Sequence, residues 1–378
     1  MAAEFGLYYP PWNYTGQPYD LLDRVAGEVG IDHVTIPVVT GEQTQFRLSR
    51  LHDEPYFHTE GGWHFPPRTE LYTASVRPPL ARWFGKRDVP ARICQRAKAL
   101  GLSIFFRIDV GAVRSLTDRA PHLCQRNAWG QELPTLPACS SNPELRDLLR
   151  ATLDDLTRYD PSGFELANWS PEGTVAWPNR GAALQHADVP VLLGMCFCPS
   201  CRQIATKAGL DPEQAARSVR VHIANLAAKP TDPRFQELLD KDDLLGTYRS
   251  HRVADVHDWL DRLASAPAGL RRFCVRDFDG LRTTGPKSDG WAPLLRVGRD
   301  FLRYALDPNC PQVVDWQAWW AFSILVSYPA FEGGSALVSF VTERARESAR
   351  FFDFEGLEES HAEAITWLKQ AVRYARRE

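Results

Sequence analysis

A repeated order of strand, loop and helix constrains this chain more than any other feature of its sequence. Residues 4–9 are short and aromatic and are broken by Pro10-Pro11, and residues 19–29 place Leu21, Leu22, Val25 and Val29 at helical spacing. Residues 33–39 form a β-branched run of the kind that fills a strand buried on both faces. A helix over 90–100 closed by Gly101 leads to a strand over 103–110. Asn142-Pro143-Glu144 then opens a helix to about residue 159, with Asn as cap, Pro at the first position and Glu in the first turn. A strand follows over 163–169. The second half predicts helices over 244–266, 294–306, 334–348 and 358–376 and strands over 271–278, 310–316, 322–328 and 349–354. The basic end of the closing helix suits the negative pole of its dipole.

Eight strands, nearly all followed by helices, argue for a parallel sheet with helices outside it, and eight such units for a closed (β/α)8 TIM barrel. No linker interrupts the pattern, so residues 1–378 are expected to form one domain. The long insertions, 40–88 and 170–243, follow strands two and four, which would put both on the carboxyl-terminal face where barrel active sites lie. A formal charge of -3 offers no footprint for a polyanion, which argues against nucleic acid and anionic membranes. No apolar run approaches the roughly 20 residues that span a bilayer. The first residues lack the basic stretch of an export signal, which predicts a cytoplasmic protein.

The sharpest local motif is Cys196-Phe-Cys198-Pro-Ser-Cys201. This spacing holds three thiols close together in almost any backbone conformation, and thiolates suit zinc. A closed structural site needs a fourth ligand. Cys139, in the loop of the neighbouring strand unit, is the first candidate and Cys124 the second. Such a site would brace two long loops and leave no open position for chemistry.

These motifs together resemble the beta-galactosidases of glycoside hydrolase family 42, barrel enzymes in which a Cys ahead of an Asn/Ser-Pro helix start joins a C-x-C-x-x-C cluster on zinc. Cys139-Ser-Ser-Asn-Pro-Glu144 and Cys196, Cys198 and Cys201 match that arrangement, and residues 163–168 fall where the family has its fourth strand. The likeness covers about residues 100–205; the rest matches only as a succession of strands. It implies a barrel glycosidase with a structural zinc. One departure stands out: the family ends its fourth strand with Asn-Glu, the Glu being the acid/base, whereas this chain has Asn168-Trp169. The nearest carboxylates are Glu172 and Glu165, and Glu332 lies where the resemblance expects the nucleophile, at the end of strand seven.

Glycoside hydrolysis needs two carboxyl groups across the scissile bond, one to protonate the leaving oxygen and one to attack or to activate water. Asp109, Glu172, Asp277, Asp279, Asp315, Glu332, Asp353 and Glu355 all fall at carboxyl ends of strands. The sequence expectation is Glu172 as acid/base and Glu332 as nucleophile. Asp109, Arg107, Glu165, Asn168, Trp169, Asp277, Asp315, Trp316, Asp353 and Trp12 are expected to bind substrate, with Trp177 and Trp319 nearby. Carboxylates accept hydrogen bonds from hydroxyls, and indole faces pack on sugar C–H faces. The competing structural role of the carboxylates is pairing with Arg107 or Arg276, or capping of the next helix.

No dinucleotide-binding or phosphate-binding glycine loop, H-E-x-x-H motif or serine nucleophile elbow is present. His251, Asp255 and Asp258 share a helix face that reads as solvated, and His52, His58 and His64 fall in the first insertion, where one could meet substrate. The expected partner is a small carbohydrate or glycoside, with homo-oligomerisation left open. Two other readings compete with a hydrolase. One is a barrel that binds or modifies carbohydrate without hydrolysis, since Trp169 stands at the acid/base position. The other is a divalent-metal enzyme built on the strand-end Asp residues.

Overall fold

In the computed structural model of the chain, eleven described strands and nine described helices follow one another in the order the sequence suggests for most of its length. The structure describes residues 3–48, 54–72, 75–85, 87–133, 137–167, 169, 192–228, 242–264, 273–276, 301–305, 320–326, 331, 333–346, 349–360 and 363–377.

The first half alternates as expected. Strand β1 (Glu4–Tyr8) leads to helix α1 (Leu21–Val29) and β2 (His33–Thr40). Asp20 caps α1 by accepting from the Leu22 amide, and Gly30 ends it at φ 78°, a left-handed conformation that L side chains resist. A hairpin of β3 (Gln43–Phe46) and β4 (Tyr56–Thr59) follows, then β5 (Gly62–Trp63), which runs antiparallel to β2. Helix α2 (Val89–Ala99) precedes β6 (Ser103–Ile108). Helices α3 (Arg114–Arg119) and α4 (Pro143–Leu156) lead to β7 (Gly163–Ala167). The Asn142 side chain accepts from the amides of Glu144 and Leu145, so the cap read from the sequence is the one formed.

Helices α5 (Pro199–Lys207), α6 (Pro212–Ala228) and α7 (Asp243–Ala264) fall between β7 and β8 (Phe273–Arg276). Next come β9 (Phe301–Ala305), β10 (Trp320–Leu325), α8 (Gly334–Arg346), β11 (Ala349–Glu355) and α9 (Ala364–Ala375). The expected helix over 294–306 is corrected here: residues 301–305 form a strand. Its backbone pairs in parallel with β8 on one side and β10 on the other, and these ladders override a local helical periodicity. The strand expected over 310–316 lies outside the described residues.

The parallel strands form one curled sheet in the order β1-β11-β10-β9-β8-β7-β6-β2. Strand β1 also pairs with β2, so the two ends of the run meet. Alternation along each strand divides the side chains. Phe5, Leu7, Val34, Ile36, Ile104, Phe106, Phe164, Leu166, Phe352 and Phe354 join the main hydrophobic core with residues of the helices. Each such side chain, fully buried, contributes about 1.5–3 kcal/mol. The residues between them, among them His33, Phe105, Arg107, Glu165 and Asp353, meet one another on the other face. A smaller core of Met195, Phe197, Ala205, Val219, Leu245 and Tyr248 binds α5, α6 and α7 together. Among the described residues no helix is long and apolar enough to cross a membrane.

Candidate functional site

Cys139 sits three residues before Asn142, the cap of α4, and Cys196, Cys198 and Cys201 lie around the start of α5. Their sulfurs all fall within 4.8 Å of one another, and all four residues are buried. Cys139 Sγ is 3.5 Å from Cys201 Sγ and 3.9 Å from Cys196 Sγ. Those separations exceed a disulfide bond of about 2.05 Å. They bracket the edge of about 3.8 Å that four thiolates make when each lies about 2.3 Å from a central ion. The Arg126 and Cys198 amides point at Cys196 Sγ from 3.4 Å, as donors would toward a thiolate. Helix α7 backs the cluster. The Tyr248 hydroxyl donates to the Cys196 carbonyl at 2.9 Å, its ring stacks on Phe197, and Arg252 is buried one turn further on. Burial opposes the Arg252 cation, but the facing Cys201 and Cys196 sulfurs outweigh it and raise its pKa. Four sulfurs, amide donors and a buried cation are compatible with a metal ion carrying excess thiolate charge. Cys124 is not part of the cluster; its backbone bridges to Ala138 and so holds the Cys139 loop.

A second group of polar side chains gathers at the carboxyl ends of the strands. Arg107, on β6, reaches Glu165 of β7 at 3.9 Å and Glu355 of β11 at 3.7 Å, while its guanidinium lies over the Tyr8 ring of β1 at 5.2 Å. Burial works against the Arg107 cation; Tyr8, Glu165, Glu355 and Asp109 overcome it and raise its pKa. Two carboxylates from strands far apart in sequence therefore share one guanidinium, and Arg107 and Glu355 keep part of their surface open.

No family model matches the sequence, and no curated protein is similar to it in sequence. Solved structures do match. The alpha-L-fucosidase isoenzyme 2 from Paenibacillus thiaminolyticus aligns over 99% of this chain and 49% of its own, with a TM-score of 0.52 and 13% identity. The beta-galactosidase from the psychrophilic Marinomonas ef1 aligns over 98% and 59%, at 0.54 and 10%. That from Bacillus circulans sp. alkalophilus aligns over 98% and 55%, at 0.54 and 11%. The fold is glycoside-hydrolase-like. The chain spans between 49% and 59% of the length of these structures, and identities of 10–13% speak for the fold alone. The cysteine motif thus stands on this chain's own residues.

Within this glycoside-hydrolase-like fold, the residues singled out in the sequence fall into distinct groups. Arg107, Glu165 and Glu355 come together as described. Asp109 follows β6, and its carboxylate accepts from the Ala112 amide at 3.2 Å, which caps the next turn. Asp353 is fully buried and bonded to His33 Nε2 at 2.7 Å, so an expected substrate ligand is instead joined to a core histidine. Trp169 is buried against Trp259 of α7 with ring centroids 5.1 Å apart, a packing role at the position where the resemblance expects a catalytic Glu. Trp12 stacks on Phe57, and its indole N–H donates to Gln45 at 2.8 Å, so its polar end is already engaged. Asp255, on the α7 face noted above, pairs with Arg146 at 2.6 Å. Glu172, Glu332, Asn168, Asp277, Asp279, Asp315, Trp316, Trp177 and Trp319 lie outside the described residues. Sequence reading passed over Tyr8, His33 and Arg252. Alternation from Gly6 would have put Tyr8 inward, but nothing local marks the other two.

His64 belongs to the structure of the first insertion. Its Nδ1 accepts from the Trp83 indole N–H at 2.8 Å, which leaves Nε2 to donate to the Thr40 hydroxyl at 2.8 Å, and that hydroxyl donates to the Gly41 carbonyl. Burial pushes its pKa down to about 3 from an ordinary value of 6.5. The unfolded chain therefore binds a proton that the folded one refuses, and stability present above pH 6.5 is lost as pH falls toward 3. A single such group weakens folding by about 1.4 kcal/mol per pH unit in that window. Urea denaturation from pH 7 to pH 4 should show a shallower decline for His64→Gln than for the wild type; parallel curves would show that His64 takes its proton while folded.

Proposed function

We propose that the protein is a glycoside hydrolase acting on a small carbohydrate or glycoside. The curled sheet is read as a complete (β/α)8 barrel, one domain over residues 1–378, whose insertions 40–88 and 170–243 overhang the carboxyl-terminal face. The observation that carries this reading is the set of Tyr8, Arg107, Glu165 and Glu355 converging from four strands at that face. Carboxylates spaced by a guanidinium can accept from several hydroxyls of one sugar while the tyrosine ring covers its C–H face. The glycosidase-like fold supports the same class of ligand. Glu172 serves as acid/base and Glu332 as nucleophile, with Asn168, Asp277, Asp315 and Trp316 completing the sugar contacts. The four-thiol cluster holds a structural zinc, since soft sulfur ligands in a tetrahedral set select it. Unbridged buried thiols suit a reducing, cytoplasmic setting.

Burial of Trp169 against Trp259 favours a second reading, a barrel that binds or modifies carbohydrate without hydrolysing it. Turnover of a panel of aryl glycosides separates the two. Glu172→Gln and Glu332→Gln should each reduce turnover by at least a hundredfold, the usual scale of a general acid/base contribution. Full turnover in both variants would reject the assignment, and a wild type that binds sugars without cleaving any aryl glycoside would favour the second reading.

A further inference from the structure

Four thiolates around a divalent ion carry more negative charge than the ion cancels, and all four of these cysteines are buried. A buried surplus of charge is costly unless a cation or well-aimed donors offset it. The amides of Arg126 and Cys198 both serve the Cys196 sulfur. Cys198 also stands at the cap of α5, so the sulfurs gather at the positive end of that helix's dipole. Neither source brings a full positive charge.

The arginines around the cluster divide into two kinds. The Arg126 guanidinium holds Glu132 at 2.8 Å, and Arg202, next to Cys201, holds Glu213 at 3.0 Å. Arg146 of α4 holds Asp255 of α7 at 2.6 Å. Each of these cations is matched by a carboxylate. Arg252 is placed differently. It is 1% exposed and lies on α7 one turn beyond Tyr248, whose hydroxyl reaches the Cys196 carbonyl at 2.9 Å. Arginine is seldom buried so completely without a counter-charge. Burial opposes its cation, and Cys201, Cys196, Tyr248 and Cys139 act in its favour. The charge of Arg252 thus bears on sulfurs from both segments that build the cluster. A guanidinium suits such a place, because its charge is spread over a plane and is weakly hydrated.

We propose that Arg252 balances the charge of the metal centre, and that it thereby sets how tightly the ion is held and pins α7 over it. It is a positioning residue that acts through the sulfurs. The inference rests on the zinc reading of the cluster above. The test is competition between a chelator and the full-length protein for zinc, with cobalt(II) substitution as a spectroscopic readout. Arg252→Met and Arg252→Gln should each weaken zinc binding about tenfold or more, the scale of losing a group that supports a ligand. Arg252→Lys, which keeps the charge, should lose less than either. The sulfur-to-cobalt charge-transfer band should move to longer wavelength in both neutral variants, because sulfurs without a neighbouring cation give up electron density more readily. With zinc bound, the Met variant should melt below the wild type. After chelation under reductant that gap should close or reverse, since an apolar side chain then replaces a buried cation that has no tetrathiolate to offset. An equal gap in both states would assign Arg252 to packing alone and overturn the proposal. Unchanged zinc affinity and band position in the neutral variants, or equal losses in the Lys and Gln variants, would overturn it as well. In those outcomes the wild type still takes up metal and the four-sulfur centre stands. A wild type that takes up neither zinc nor cobalt removes the centre, and this role with it. If the Met variant does not fold, the comparison of Gln with Lys decides the matter.

Discussion

With zinc in the four-thiol cluster as proposed, Cys139→Ser is expected to release the ion and to lower the melting temperature by on the order of 10 °C. The geometry explains the size of the effect. Cys139 belongs to the loop ahead of α4, whereas its three companions begin α5, so this one sulfur joins two segments that no described strand pairing connects. Structural zinc sites in small peptides contribute about 10–16 kcal/mol of apparent binding energy, and a domain has only about 5–15 kcal/mol of net stability. A chain of 378 residues would lose roughly 1–2 °C for each kcal/mol forfeited. Elemental analysis should find about one zinc per wild-type chain and close to none in the variant, and Cys198→Ser should behave alike. Cys124→Ser is the control. Burial raises that thiol's pKa to about 11, it lies outside the cluster, and its loss should leave metal content intact. A wild type purified without metal, or a Cys139→Ser protein with its full complement, would refute the four-sulfur centre.

The consequences should reach the strand ends through α7. Tyr248 and Arg252 face the cluster, Asp255 holds Arg146 of α4, and Trp259 stacks on Trp169 just past β7. One helix thus links the sulfurs to the point where the resemblance expects the acid/base. Loss of metal should therefore be visible as changed indole fluorescence from the Trp169–Trp259 pair.

Which parts of this arrangement could be read from the chain follows from how local their causes are. The run over 33–39 and the capped start of α4 are set by neighbours in sequence, and both form where expected. The cysteine triplet is equally local, and Cys139 followed from the rule that adjacent strand units bring their loops together. Strand β9 was misread because five residues cannot distinguish a helical from an extended pattern once both neighbouring ladders decide the matter. Asp353 lies on β11 and Trp169 just past β7, and the contacts each makes come from segments distant in sequence. His33, which bonds Asp353, lies 320 residues away, and Trp169 finds its cover in α7, the helix that follows the long insertion. The proposed acid/base and nucleophile, Glu172 and Glu332, fall outside the described residues.

Gly6→Ala should be among the most damaging single changes in the sheet. In the register of the three strands that join the ends of the parallel run, Gly6 of β1 stands opposite His33 of β2 on one side and Asp353 of β11 on the other. Only because Gly6 has no side chain can the His33 ring cross over β1 and bond the Asp353 carboxylate at 2.7 Å. A Cβ at Gly6 would lie 2.0 Å from His33 Nε2 and 2.1 Å from Cδ2, far inside contact distance. Phe351 stacks on the ring at 3.9 Å and Phe105 meets it edge-on, so the imidazole has no clear direction in which to retreat. The substitution therefore separates a fully buried pair, a class of change that costs about 3–5 kcal/mol. His33→Ala should cost a similar amount by the same route. The double variant Gly6→Ala/His33→Ala should then be little worse than either single one, because the second change removes an interaction already lost and relieves the clash. Urea denaturation of the four proteins supplies the cycle. Additive losses, or a Gly6→Ala protein as stable as the wild type, would mean that the bridge across β1 is not what fastens the first strand between the second and the last.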